Sequence, residues 1–285
     1  MSILFGLPST YQMWQIRKSY KKSILNRYNT LTKSKLKKYD PLMGLVTNGL
    51  VNQNIYAQVN RLILEDNDDK IQLFFHKLTT NKFDTKDIAK QRDQINNERL
   101  LKVRKKLRSI DPLFLALDRI IDCRVIFLDK KDISAFSAIS LPGVIFTEVY
   151  HTTHKFWEPN AIASYLHELY HQALFMIETI DDLFKGDSRK KMVFSGIMGE
   201  DRPAIKTLHG FLALVMMLYV FYWYEKKGSK LKEEREFSKV GYDELLPMAT
   251  QSQISLQTIL GDFTDVGSQV FQEISTLFEK VKHAN

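Results

Sequence analysis

From Gly210 to Tyr224 the chain runs fifteen residues without a charged side chain, and nearly all of them are apolar. That is short of the roughly 20 residues that span the hydrocarbon of a bilayer as a helix, so the run reads as a helix buried on every side within the protein. A helix without a polar face needs other elements around it, and most of the remaining chain carries helical periodicity. The expected fold is mainly α, of the α+β kind. It has a basic helical N-terminal region over residues 1–110 and a second region over residues 111–285 that holds a small β-sheet.

Local signals divide the chain further. A basic helix is expected over residues 11–28, and Asp40-Pro41 caps and opens another over 42–64. Residues 86–110 keep an apolar seam through Ile88, Ile95, Leu100, Val103, Leu107 and Ile110, and Asp111-Pro112 opens a helix over 113–121. Two β-branched and aromatic runs, 125–128 and 144–147, read as strands, with Leu141-Pro142-Gly143 as the turn before the second. Glu158-Pro159 opens a helix that stays periodic to Leu183 and meets a stop at Gly186. Arg202-Pro203 opens the helix containing the apolar run. A charged helix over 229–240 and an amphipathic one over 253–282 complete the chain.

Charge is unevenly placed. Of 41 basic and 33 acidic side chains, the first 50 residues hold nine cations (Arg17, Lys18, Lys21, Lys22, Arg27, Lys33, Lys35, Lys37, Lys38) and one acid, Asp40. That segment therefore carries the whole formal charge of +8, and the rest of the chain is balanced, which excludes a basic channel through the entire protein. Tyr20, Tyr28 and Tyr39 interleave with the cations, but no nucleic-acid fold signature accompanies them. The arm reads either as a solvated helical surface or as a dock for an acidic leader or carrier peptide. The single cysteine, Cys123, has no partner for an intrachain disulfide, and the apolar run at residues 3–7 is too short for a signal peptide. A cytoplasmic protein without a membrane segment is expected.

The chemistry-bearing motif is His167-Glu168-Leu169-Tyr170-His171, an HExxH sequence inside the helix that Pro159 opens. Residues four apart lie on one helix face, so two imidazoles can converge on one metal. A composition with seven histidines yields this motif by chance roughly 0.01 times per chain. Residues 111–285 are accordingly read as an HExxH metal-binding catalytic region. Ser164 and Glu178 share the histidine face, whereas Tyr165, Tyr170 and Trp157 are packing residues.

The third ligand decides the chemistry. A metzincin needs Gly and His where this chain has Leu174 and Ile177, so that class is excluded. A gluzincin would use Glu200, which Asp201 follows. The competing ligand is His209, 38 residues after His171, where an imidazole in an uncharged run is costly to bury unless a metal or a hydrogen bond satisfies it. His151 and His154 fall on a loop after the second strand, and His76 and His283 are structural or solvated.

The strand with Leu-Pro-Gly before it, the HExxH helix, and Arg202-Pro203 followed by Leu208-His209-Gly210 together resemble a family. It is the HExxH-type, α-ketoglutarate-dependent peptide β-hydroxylases that act in ribosomal peptide pathways. The resemblance covers residues 120–225, a little over a third of the chain. It implies Fe(II) held by His167, His171 and His209, with Arg202 binding the distal carboxylate of α-ketoglutarate. Three protein ligands leave three of six octahedral positions for the chelating keto acid and O2, and a planar guanidinium suits a carboxylate. The implied function is hydroxylation of a side-chain β-carbon in a ribosomally made peptide, with Glu168 orienting a ligand or contacting substrate. Two alternatives stand beside it: a zinc metallopeptidase with Glu168 as general base, and a non-catalytic peptide-binding scaffold.

Overall fold

The computed structural model describes parts of residues 18–37, then 94–110, 113–118, 121, 123–126, 135–137, 143–147, 157–178, 181–228 and 231–283. The helix expected over 42–64, the first turns of that over 86–110, and His76, His151 and His154 lie outside the described residues. The fold is mainly helical, of the α+β kind that the sequence predicts, with two small sheets where one was expected.

The apolar run forms the central helix, here α4, Ala204–Trp223, after α1 (Gln94–Ile110), α2 (Leu113–Asp118) and α3 (Trp157–Glu178). Thirteen of its twenty residues are buried, and Lys206 in the first turn is its one exposed residue. Continued through the π-turn Tyr224–Gly228, the apolar stretch is long enough to cross a membrane by length and composition, and 72% of that window is buried inside the protein. Helix α3 packs along one side of α4, and α5 (Lys232–Gln257) and α6 (Asp265–Lys282) pack against other parts of its surface. Burial of each large apolar side chain is worth about 1.5–3 kcal/mol, which makes this layer the main source of stability.

Helices α3 and α4 run antiparallel, as three contacts show. The Tyr224 hydroxyl, just past α4, donates to Glu158 at the start of α3 at 2.8 Å. In mid-helix, His167 meets Met217, and at the other end Glu178 meets His209. The α1–α2 pair is fixed to α3 by a buried polar node. Arg104 donates to Asp118 from Nε (3.0 Å) and Nη2 (2.7 Å), and the Tyr165 hydroxyl donates to Asp118 Oδ1 at 2.7 Å.

Strands β1 (Cys123–Ile126), β2 (Ala135–Phe136) and β3 (Val144–Thr147) form the first sheet in the order β1-β3-β2, with β1 parallel and β2 antiparallel to β3. Strand β3 coincides with the expected run 144–147, whereas β1 begins two residues ahead of the expected 125–128, whose last two residues lie outside the described ones. A second, antiparallel sheet of β4 (Met192–Ser195) and β5 (Glu200–Pro203) was not expected, and it corrects the start of the central helix. Arg202 and Pro203 belong to a strand rather than to a first helical turn. The alternation of burial along β4, with Val193 and Ser195 inward, is the period-2 pattern that four residues are too few to announce.

The C-terminal boundaries also differ. One helix, α5, crosses the gap expected between 240 and 253, carrying Pro247 within it, and the break falls instead at the 3₁₀ turn Leu260–Asp262. Thr264 then caps α6 by accepting from the Gly267 amide at 3.0 Å. Helix α3 stops at Glu178, short of the expected Leu183.

The β4–β5 turn is clamped on α5, because the Gly196 amide donates to the Ser252 hydroxyl at 2.9 Å and a Cβ on Gly196 would sit 1.9 Å from the Met248 carbonyl oxygen. Gly196→Ala is therefore expected to destabilise the protein by about 3 kcal/mol, since backbone must move. At the polar node, Tyr165→Phe should cost about 1 kcal/mol and Asp118→Ala about 2–4 kcal/mol, because the second leaves Arg104 uncompensated. Urea unfolding monitored by circular dichroism measures all three.

Candidate metal centre

The HExxH helix is tied to the start of β3 at Gly143, the last residue of the Leu-Pro-Gly signal. Gly143 has φ +79°, a region that L side chains rarely adopt. Its amide donates to Gln172 Oε1 at 2.6 Å, tying the start of β3 to the residue after His171. With α3 so placed, its histidine face turns toward α4, and His209 arrives from the second turn of that helix.

The three imidazoles form a chain. His167 Nε2 lies 2.8 Å from His171 Nε2, and His171 Nδ1 lies 3.0 Å from His209 Nδ1. His209 Nε2 in turn hydrogen-bonds the Glu178 carboxylate, whose other oxygen is 3.6 Å from Arg189 Nη2. At the opposite end His167 Nδ1 faces Met217 Sδ at 3.4 Å. Phe175 lies against both His171 and His209, with ring centroids 5.9 and 4.7 Å away.

Burial dominates the electrostatics here. It pushes the pKa of His167 down to about 4, with the neighbouring His209 adding to the effect. It also holds His171 well below the usual imidazole range, helped by His167 and His209. These rings are neutral at pH 7, the state in which an imidazole nitrogen can bind a metal. Glu168, next to His167 on α3, is 4% exposed. Burial raises its pKa to about 8, and Ser137 pulls it back only in part. The Ser137 hydroxyl is outside hydrogen-bond geometry, and among the described residues Glu168 Oε2 has no partner. Its Oε1 lies 3.7 Å from His167 Nε2.

The structure thus brings His167, His171 and His209 together and sets Glu168 beside them. Arg202 is half-buried in β5 opposite Val193, seven residues ahead of His209. Glu200 and Asp201, the acids considered as a third ligand, are exposed on the same strand. Ser164 is half-buried on α3, and Tyr165 and Tyr170 are fully buried packing residues, the former with its hydroxyl on Asp118. His283 is 72% exposed and pairs with Glu279.

Sequence reasoning missed Arg189. It sits in the 3₁₀ turn Gly186–Lys190, where one cation among several basic residues gives no signal of its own. Glu178 was legible as a residue of the histidine face, eleven positions after His167, but its pairing with His209 depends on how α4 docks.

The donor types suit a divalent metal: three imidazoles, at least two of them kept neutral by burial, and a carboxyl whose buried Oε2 has no partner among the described residues. The 2.8 Å between His167 Nε2 and His171 Nε2 is a hydrogen-bond separation, shorter than the roughly 3.4 Å that two metal–nitrogen bonds of about 2.1 Å give at a tetrahedral angle. Among the described residues, however, no three histidine, cysteine or carboxylate side chains are arranged to hold a metal ion together. His171 explains this: it spends one ring nitrogen on His167 and the other on His209, so a metal held by all three would require it to release one of these contacts. No family model matches the chain, and no curated protein matches it.

The Gly143–Gln172 bond holds the first sheet against the motif helix, which makes it a test of how the site is built. Gln172→Leu is expected to lower stability by about 1–3 kcal/mol by leaving a buried amide unpaired. It should also speed hydrogen exchange at Gly143, read by mass spectrometry.

Proposed function

We propose that this protein is an Fe(II)/α-ketoglutarate-dependent oxygenase that hydroxylates a side-chain β-carbon of a ribosomally made peptide. The observation that carries the reading is the contact between His171 and His209, which sets a third imidazole beside the HExxH pair while Glu200 stays exposed on β5. His167, His171 and His209 would hold the iron. Bound with its co-substrates, iron supplies insertion of one oxygen atom of O2 into a C–H bond, the other atom ending in succinate as α-ketoglutarate loses CO2.

The chain's own residues divide the remaining work. Arg202 would pair with the distal carboxylate of the keto acid, offering two parallel hydrogen bonds from one planar group. Phe175 and Met217 would give the histidines apolar surroundings on one side. Glu168 would orient a ligand or contact substrate. The basic arm would recruit the peptide: in its described part Ile24 is buried in the core while Lys18, Lys22, Arg27, Lys33, Lys35 and Lys37 are exposed, an arrangement suited to an acidic leader.

One observation favours a second reading, a zinc metallopeptidase. Glu168 stands 3.7 Å from His167 Nε2, where a general base for metal-bound water belongs in that class.

Anaerobic reconstitution with Fe(II) and α-ketoglutarate is expected to give a weak visible charge-transfer band, and admission of O2 to release succinate. A folded, iron-loaded sample showing neither would sink the oxygenase reading. Tight zinc together with peptide cleavage that disappears in Glu168→Gln would establish the peptidase in its place. His209→Ala is expected to weaken metal binding by at least tenfold, about 1.4 kcal/mol, and unchanged affinity by calorimetry removes His209 from the site. Charge reversal at Lys21, Lys22 and Lys37 should weaken binding of an acidic leader peptide and flatten its salt dependence, as followed by fluorescence anisotropy.

A further inference from the structure

A large apolar side chain standing singly on a surface is ordinary, whereas a contiguous group of them marks a contact site. Among the described residues four such side chains fall within seven positions of one hairpin: Met192 (55% exposed), Phe194 (36%), Ile197 (37%) and Met198 (52%). Strand register accounts for the first two. Met192 stands opposite Pro203 and Phe194 opposite Asp201, and residues directly opposite in a sheet share a face, so these four make the outer face of the β4–β5 hairpin. Val193, Arg202 and Ser195 take the inner face toward α4, where the Thr207 hydroxyl donates to the Val193 carbonyl at 3.4 Å. A Cβ on Gly210 of α4 would meet Ile197 at 3.2 Å, and the Gly196–Ser252 bond clamps the turn to α5. The outer face is thus preformed and held toward solvent.

Charge on this hairpin is sorted by end. Glu200 and Asp201 are exposed beside the turn, and neither side chain has a partner among the described residues. Lys190 and Lys191, just before β4, and Lys206, in the first turn of α4, are exposed at the opposite end. Lys206 is unpaired among the described residues, Lys191 pairs with Asp262, and Lys190 is bound to Asp187 three residues earlier, a pair so exposed that it holds the cation weakly.

We propose that this face is the contact between two copies of the chain, which meet across a two-fold axis that sets their hairpins antiparallel, face to face. An apolar strip with cations at one end and carboxylates at the other is complementary to itself when one copy is reversed. In that arrangement Met192 of each copy lies over Phe194 of the other, a sulfur–aromatic contact, and the acidic end of each copy meets the basic end of its mate. Parallel hairpins would instead bring Lys190 and Lys206 against their own equivalents, and Glu200 and Asp201 against theirs, which is repulsive. Arg202 lies on the inner face, away from the contact, so the dimer is independent of the metal reading. Four apolar side chains and a charged rim fall short of the about 20–30 residues a side of a standard interface, so the dimer is weak, with an expected Kd of about 10–100 μM.

Sedimentation velocity of the full-length chain tests this, over loading concentrations of about 1 μM to 1 mM that bracket such an affinity. The expected result is a monomer that passes to a dimer as concentration rises and dissociates more readily at high salt, because the rim charges are exposed. Met192→Glu combined with Phe194→Ser should weaken association at least about tenfold. Lys190→Glu with Lys206→Glu, and separately Glu200→Lys with Asp201→Lys, should each weaken it about fivefold or more. All four charge reversals in one chain should restore it, since the ends then exchange signs and remain complementary only in the antiparallel arrangement. Circular dichroism checks that each variant is folded, and should the apolar one not fold, the charge variants decide. A wild-type chain that stays monomeric throughout overturns the proposal and leaves the face to another occupant. A dimer that the apolar and charge variants leave unchanged also overturns it, by placing the contact elsewhere. Charge reversals that weaken association singly and are not repaired together overturn the antiparallel pairing.

Discussion

Helix α4 is apolar around nearly its whole circumference beyond the first turn, and the placement of its neighbours follows from that. Helices α3, α5 and α6 and the β4–β5 hairpin each cover a part of it. Two approaches in this layer, one of α5 to α4 and one of the β4–β5 turn to α5, are so close that side chains are excluded. A Cβ on Gly241 would meet the Phe221 ring at 2.8 Å, and one on Gly196 would overlap the Met248 carbonyl. Because the apolar term is non-directional, it sets how much surface is covered but not which residues meet. Direction comes from the polar atoms that are trapped in the layer.

There are few such atoms, and they are concentrated where α3 meets α4. A histidine at position 209 cannot be left unpaired inside this layer, and its two nitrogens find His171 and Glu178. Tyr224 at the far end finds Glu158. These two anchors lie at opposite ends of the same helix pair. A slide of one helix along the other by one turn, about 5.4 Å, would break both and leave buried polar groups unsatisfied, at about 1–3 kcal/mol each. The same contacts that build the histidine chain therefore fix the register of the helices that carry it.

Much of this was legible from residues. The HExxH spacing places His167 and His171 on one face wherever α3 goes, and Leu-Pro-Gly before β3 marks a turn that needs a glycine at positive φ. What was missed shares a cause. The β4–β5 hairpin has strands of four residues, too short for a period to emerge, and Arg202-Pro203 resembles a helix start although Pro203 serves as the residue before the helix. The expected gap in α5 reflects low apolar periodicity around Pro247, which an exposed helix face accommodates. The nine cations near the N-terminus were evident at once, and of the described ones all but the half-buried Lys21 are exposed, around a buried Ile24.

The sequence by itself determined that a helix would be buried on every side, that two imidazoles would share a face four residues apart, and that a further histidine would enter the apolar layer. Each of these is local, a matter of helical period and of what water will not solvate. Only the tertiary structure decided that His209 meets His171 rather than standing alone, that Glu178 and Arg189 close the line behind it, and that the rings stand in a chain. Those outcomes depend on the register of α3 against α4, and register is set by the packing of two whole surfaces and the pairing of the few polar atoms between them, which no single stretch of sequence contains.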